Sequence, residues 1–155
     1  MVKVRDHNYK YISARPFAPN LGAEVYGVDL SEPISDEQFA DIYKAFLDHQ
    51  VLFFKNQKEI PPDLHIAFGK RFGELHFHPA APTMKGYPEI FEIHAGKNSK
   101  VANGEFWHSD VSCDVEPPLG TMLQIHIAPD CGGDTMFSDM YSAYDTLSKP
   151  VKKLI

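Results

Sequence analysis

The amino-acid sequence predicts an α+β fold, and two kinds of hydrophobic pattern support that prediction. Residues 121–128 alternate between two sets of side chains, one of them mainly aliphatic, which is the pattern of a half-buried β-strand. Residues 36–47 instead repeat apolar side chains at the spacing of one helix face, directly after a helix-capping sequence. Because such patterns are interleaved along 155 residues, we expect a single domain with its own core.

The first third of the chain predicts two strands, a helix and a third strand. Tyr11 to Phe17 and Ala23 to Tyr26 have strand character and are separated by the turn-rich segment 18–22. Ser35 and Gln38 predict a capping box at the start of a helix. Its core-facing stripe is expected to contain Phe39, Ile42, Tyr43, Phe46 and Leu47. Val51 to Phe54 then reads as a buried strand.

The remaining elements are shorter. A second helix is expected from Pro61-Pro62 to Phe72, with Gly73 as its C-cap, and a strand is expected from Ile90 to His94. Ser138 is the expected cap of a helix that contains Met140, Tyr144 and Leu147. Ser148 would cap one more helix, whose apolar positions are only beginning at Val151, Leu154 and Ile155. A helix without a C-cap leads us to expect that residues 1–155 are the N-terminal part of a longer domain.

Composition excludes several classes of function. The formal net charge is −6 and Lys152-Lys153 is the longest basic run, so nucleic acid is not expected as a partner. No stretch has the length or apolarity of a signal segment or a membrane span, and no membrane partner is expected. Cys113 and Cys131 lack a metal-binding spacing, which favours a reduced, cytoplasmic protein. The sequence leaves a homo-oligomer open.

The most informative motif is Trp107-His108-Ser109-Asp110. On extended backbone the side chains of His108 and Asp110 leave the same face, so both could bind one cation. An imidazole and a carboxylate make up two thirds of the facial triad that binds iron in non-haem Fe(II) oxygenases. A capped turn or a surface ion pair would give the same short motif without any chemistry.

An ordered set of further motifs resembles the taurine dioxygenase family, whose members are Fe(II)- and 2-oxoglutarate-dependent oxygenases. The resemblance covers roughly residues 15 to 150. It rests on Leu21–Val25 with Gly27–Leu30, His49–Phe54, Arg71–Pro79, Trp107–Asp110, Pro117-Pro118, Gly132–Thr135 and Ala143-Tyr144, which occur in the family's order. The fold that the resemblance implies is a double-stranded β-helix, or jelly roll, with flanking helices and without its C-terminal part.

The resemblance also implies roles for single residues. His108 and Asp110 match the first two iron ligands, and Thr135 matches a threonine that helps to hold 2-oxoglutarate. His78 matches a contact to the substrate anion, and Val111, next to Asp110, is assigned to substrate binding as well. For His76 a structural role is expected, and Phe106 and Trp107 would either wall the site against water or pack in the core. The implied reaction couples oxidative decarboxylation of 2-oxoglutarate, with O2, to hydroxylation of a C–H bond.

Departures from the family pattern affect the substrate and the ligand set. Ala81 and Cys113 stand where the family has aromatic residues, so a bulkier or more apolar acid than taurine is expected, within the sulfonates, sulfate esters and aryloxy acids. The family's third iron ligand and its cosubstrate-binding arginine lie far downstream of the first motif. The three arginines here, Arg5, Arg15 and Arg71, all precede His108, so neither residue can be assigned.

Three other interpretations remain open at this stage. A small, self-contained cupin-like protein could recruit a third metal ligand from His76, His78, His94 or His126. A non-catalytic remnant could bind a small acid or a partner. The third alternative is an ordinary α+β domain with no site at all.

Overall fold

The computed structural model describes residues 8–77, 82–96, 99, 104 and 106–155, and it confirms a mixture of helices and strands. The chain forms two compact units. The first contains the residues up to Lys58 together with His126–Ile155, and the second is Glu59–Ile125.

A three-stranded sheet organises the first unit. Strands β1 (Ser13–Pro16) and β2 (Ala23–Tyr26) are antiparallel, and β3 (Leu52–Phe54) pairs parallel to β2. The order β1-β2-β3 confirms three predicted strands: β2 has the predicted bounds, whereas β1 and β3 are shorter than predicted. Gly22 opens β2 at a φ of +87°, where an added Cβ would lie 3.1 Å from the ring of Phe53. The turn therefore needs glycine for its backbone angle and for space.

Helix α1 (Asp36–His49) connects β2 to β3 and starts with the predicted capping box. The Ser35 hydroxyl accepts from the backbone N–H of Gln38, and the Gln38 side chain accepts from the backbone N–H of Ser35. Its most buried face is formed by Ile42, Ala45 and His49. The prediction that Leu47 joins the core-facing stripe is wrong: Leu47 is exposed, because the buried face is rotated toward Ala45, whose small side chain permits close packing.

The core of the first unit lies between this helix face and the sheet residues. The most buried side chains are those of Ala23, Val25, Ile42 and Ala45, which are almost completely inaccessible to solvent. Leu30 and Ile12 are buried as well. Burying each large aliphatic side chain contributes roughly 1.5–3 kcal/mol.

The second unit contains α2 (Pro62–Lys70) and a hairpin of β4 (Thr83–Met84) and β5 (Tyr87–Phe91). Helix α2 is capped by Arg71, so Gly73 is not its C-cap as predicted; the last turn closes through hydrogen bonds from the Arg71 N–H before Gly73 is reached. The strand predicted from Ile90 to His94 is shifted toward the N-terminus, because its bounds are set by pairing with β4 across the turn at Gly86.

Two short helices end the chain. Helix α3 (Met140–Asp145) is capped by Asp139, whose carboxylate accepts from the N–H groups of Tyr141 and Ser142. Ser138 was expected in that role, but the helix begins one residue later. The hydrogen bond from the Ser142 hydroxyl holds the pKa of Asp139 below its usual value. Helix α4 (Lys149–Lys152) begins after Ser148, as predicted.

Residues 121–128 do not form the predicted strand in the described structure. They carry the expected alternation, but the side chains of Leu123, Ile125 and Ile127 are exposed. A strand requires backbone hydrogen bonds to a neighbour, and alternation reports only which face of a segment is apolar. The sequence pattern therefore identified an apolar face without identifying what pairs with it.

Candidate active site

His108 lies in a loop of the second unit, and its ring orientation is fixed by a backbone contact. Its Nδ1 atom is 2.7 Å from the carbonyl oxygen of Phe106. A carbonyl oxygen can only accept, so Nδ1 carries the proton and donates. In the neutral ring the lone pair is then on Nε2. This is the arrangement that metal-ligating histidines adopt when a second contact fixes their tautomer.

The Nε2 atom of His108 faces Asp110. The Nε2 atom is 3.2 Å from Asp110 Oδ1. Both atoms are acceptors when the imidazole is neutral, so this approach is favourable only with a proton or a metal cation between them.

These two side chains fit a mononuclear Fe(II) site. A neutral imidazole and a carboxylate are suitable donors for Fe(II). The side chains of His108 and Asp110 are 57% and 52% exposed, which leaves room for further ligands to reach the metal. No group of three His, Cys, Asp or Glu residues that could hold a metal ion occurs within the described ranges. Within those ranges neither His76 nor His94 completes a triad with His108 and Asp110.

The other oxygen of the Asp110 carboxylate is also engaged. Thr121 donates its hydroxyl hydrogen to Asp110 Oδ2, with an oxygen–oxygen distance of 2.9 Å. The two oxygens of this carboxylate therefore face different neighbours, and only Oδ1 faces the imidazole.

A tight turn follows Asp110. Val111 has a φ of +49°, and the N–H of Asp114 donates to the Val111 carbonyl over 3.2 Å. A β-branched residue rarely adopts a positive φ, and such a conformation costs about 1–3 kcal/mol. The hydroxyls of Ser109 and Ser112 lie 2.7 Å apart and bridge the turn. Val111, predicted to bind substrate, is half-buried beside Asp110.

His76 forms an ion pair or a hydrogen bond with this loop, in line with the structural role that was expected. Its Nε2 atom is 2.9 Å from Asp114 Oδ2. The pair connects the loop of His108 and Asp110 to the segment that precedes His78. His78 itself, predicted to contact the substrate anion, and Ala81 lie outside the described residues.

Thr135 belongs to the first unit, whereas His108 and Asp110 belong to the second. It is exposed and follows Gly132 and Gly133, which have φ values of +78° and +75°. An added Cβ on Gly133 would lie 3.1 Å from the ring of Pro129. The two glycines therefore form a tight backbone turn before Thr135.

Phe106 and Trp107 take neither of the two roles that were expected from the sequence. Phe106 and Trp107 are 82% and 67% exposed, so they neither pack in the core nor enclose His108 within the described structure. Sequence reasoning also missed Thr121 and Asp114. Neither carries a local signal, because Thr121 meets Asp110, and Asp114 meets His76, only through the fold.

Comparison with known proteins shows which family the chain belongs to. Residues 13–155 match the model of the family described as taurine catabolism dioxygenase TauD, TfdA family. A taurine dioxygenase from Burkholderia xenovorans, solved as a crystal structure, is similar with a TM-score of 0.74 and 30% identity, over 94% of this chain and 51% of that protein.

Curated relatives give the same result. The chain is 30% identical to an alpha-ketoglutarate-dependent sulfonate dioxygenase of Saccharomyces cerevisiae, over 96% of this chain and 38% of the yeast protein. It is also 30% identical to an alpha-ketoglutarate-dependent sulfate ester dioxygenase of Pseudomonas putida, over 92% of this chain and 46% of that protein. The chain thus spans less than half the length of these two relatives.

In this loop a histidine nitrogen lies beside a carboxylate oxygen, a pair of donors of the kind that binds iron in non-haem oxygenases. The match over residues 13–155 shows that the chain belongs to the TauD/TfdA family of dioxygenases. Within the described residues, no helix is long and apolar enough to cross a membrane.

Proposed function

We propose that residues 1–155 are the N-terminal part of a single catalytic domain, that of an Fe(II)- and 2-oxoglutarate-dependent dioxygenase. Its substrate is a small organic acid of the sulfonate, sulfate ester or aryloxy acid class. The observation that carries the proposal is the 3.2 Å approach of His108 Nε2 to Asp110 Oδ1, which a bound cation makes favourable. The names of the relatives, a sulfonate and a sulfate ester dioxygenase, support the substrate class.

The complete domain is proposed to be a jelly roll in the cytoplasm. The exposed apolar face of residues 121–128 supports this fold, since a jelly roll would pair that segment with further strands. The chain spans 38% and 46% of the two curated relatives. We propose that the third iron ligand and the cosubstrate arginine belong to the part of the domain that corresponds to the remaining length of those relatives.

Each residue of the proposed site has a defined task. His108 presents the Nε2 lone pair, because the Phe106 carbonyl fixes its tautomer, and Asp110 presents Oδ1. Thr135 donates its hydroxyl to a carboxylate of 2-oxoglutarate, while Val111 and His78 contact the organic acid. When bound, the iron and 2-oxoglutarate supply oxidative decarboxylation of the cosubstrate coupled to hydroxylation of a C–H bond.

The direct test is succinate production by the full-length natural protein, with and without Fe(II), over a panel of sulfonates, sulfate esters and aryloxy acids. Iron-dependent succinate formation that rises with at least one of these acids is the expected result. If no acid in the panel raises iron-dependent succinate formation above the substrate-free level, the proposed substrate class is wrong.

Thr135→Ala is expected to weaken binding of 2-oxoglutarate and to leave Fe(II) affinity nearly unchanged. The lost hydroxyl makes one hydrogen bond to a charged group, worth on the order of 1.5–3 kcal/mol, or about ten- to a hundredfold in the KM for 2-oxoglutarate. Thr146→Ala, in the turn that ends α3, is the matched control. An unchanged KM for 2-oxoglutarate in Thr135→Ala would remove this residue from the site.

Ala81→Tyr combined with Cys113→Phe is expected to shift preference toward small sulfonates. The two substitutions restore aromatic surface that packs against a short substrate in the resembled family. A single methylene in an apolar pocket discriminates by roughly 10–200-fold, so the ratio of kcat/KM values for taurine and a larger acid should rise on the order of tenfold or more. Cys131→Phe is a control at an exposed cysteine in the other unit. No gain for taurine would show that selectivity has another origin.

A further inference from the structure

We propose that Thr121 is a positioning residue that sets the orientation of the Asp110 carboxylate toward the metal. The inference rests on the proposed function, since it concerns the same site. Thr121 contacts neither the imidazole of His108 nor any proposed substrate residue in the contacts described above. It acts through the second oxygen of Asp110, which accepts its hydroxyl hydrogen over 2.9 Å.

The carboxylate of Asp110 needs such a partner because it is otherwise loosely constrained. Its side chain is 52% exposed, and the terminal torsion of an aspartate has a broad energy well. Rotation about that torsion would exchange Oδ1 and Oδ2 or present both to the metal. The Thr121 hydroxyl holds Oδ2, so that Oδ1 alone lies 3.2 Å from His108 Nε2.

Single-oxygen ligation has a consequence for coordination. Three single-atom protein ligands leave open positions for a cosubstrate and oxygen, as in other facial-triad sites. A carboxylate that bound through both oxygens would occupy one of these positions. By occupying Oδ2, Thr121 keeps that position available, and a β-branched side chain suits the task because its χ1 rotation is restricted.

Other polar side chains near the loop contact partners other than Asp110. The hydroxyls of Ser109 and Ser112 contact each other over 2.7 Å, and the imidazole of His76 contacts Asp114 over 2.9 Å. Thr121 lies eleven residues after Asp110 in the sequence, so it approaches Asp110 through the fold and not as a sequence neighbour. The contact thus fixes the loop to the start of the segment 121–128.

The test uses the full-length natural protein with Thr121→Val, Thr121→Ser and the control Thr83→Val on the exposed strand β4. Co(II) is the probe, because its visible absorption spectrum reports the number and arrangement of its ligands. Removing a hydrogen-bond partner of a metal ligand costs about 10- to 100-fold in metal affinity. We expect that loss and an altered Co(II) spectrum in Thr121→Val, with affinity and spectrum restored in Thr121→Ser and unchanged in Thr83→Val.

Folding is checked by thermal denaturation of the metal-free proteins. If Thr121→Val does not fold, Thr121→Ala takes its place, and the expected result is weak Co(II) binding in the alanine variant beside wild-type binding in the serine variant. Equal Co(II) affinity and spectrum in the wild type and in the folded hydroxyl-free variant would overturn the inference while leaving the proposed function intact. Failure of the wild type itself to bind Co(II) or Fe(II) would instead overturn the proposed function.

Discussion

His108→Ala is expected to abolish Fe(II) binding and turnover in the full-length natural protein. The substitution removes the only nitrogen that faces Asp110 Oδ1 among the contacts described for this loop. Asp110 would then be left with at most one further protein ligand, and two ligands hold Fe(II) poorly. The measurements are Fe(II) binding by calorimetry under anaerobic conditions and succinate formation with the best substrate.

The geometry allows a sharper form of this experiment. The His108 side chain is 57% exposed, so free imidazole can enter the space that the variant opens. Addition of imidazole is expected to restore part of the Fe(II) binding, because it supplies the same nitrogen donor. His94→Ala, at an exposed histidine of the same unit, is the matched control and should bind Fe(II) as the wild type does. Full activity of His108→Ala would exclude His108 as an iron ligand.

Elements governed by local physics could be predicted from the sequence. The capping box of Ser35 and Gln38 depends on residues within one helical turn, and it is present in the structure. The turn at Gly22 and the strand after it were predicted for the same reason, since glycine permits a backbone angle that other residues avoid. Their neighbours in space were not predictable: the parallel pairing of Ala23 with Leu52 joins residues on either side of a whole helix.

Some features of the candidate site could likewise be predicted from the sequence, and others could not. The closeness of His108 and Asp110 was predictable, because a spacing of two residues on extended backbone puts both side chains on one face. Their role as iron ligands remains a prediction. The rotation of the imidazole, fixed by the Phe106 carbonyl, and the hydrogen bond from Thr121 depend on backbone positions that no spacing rule gives. The positive φ of Val111 is a further example, because valine is among the residues least expected there.

The second large effect concerns residues 1–155 produced without any additional sequence, which we expect to be inactive and to aggregate. Large apolar side chains are exposed among the described residues, including Ile127 at 89% exposure. Exposed apolar surface on an unpaired segment promotes association with other copies.

The measurements for this chain are binding of the dye ANS, the cooperativity of thermal unfolding, and mass by light scattering. Strong dye binding, a broad transition and particles larger than a monomer are expected. Ile125→Lys with Ile127→Lys should reduce association, because the charges interrupt the exposed apolar face. Ile42→Lys, at a buried core position, should instead worsen it.

The outcome also separates the dioxygenase from the self-contained metal protein. In the first case residues 1–155 supply two committed ligands, His108 and Asp110, and no arginine beyond them in the sequence to pair with the carboxylate of 2-oxoglutarate. Fe(II) binding should then be weak and should not approach one ion per chain at micromolar concentrations. A soluble monomer that melts cooperatively and binds one Fe(II) tightly would contradict this expectation. That result would require a third metal ligand within residues 1–155. His78, which lies outside the described ranges, would then be the first residue to mutate in a search for that ligand.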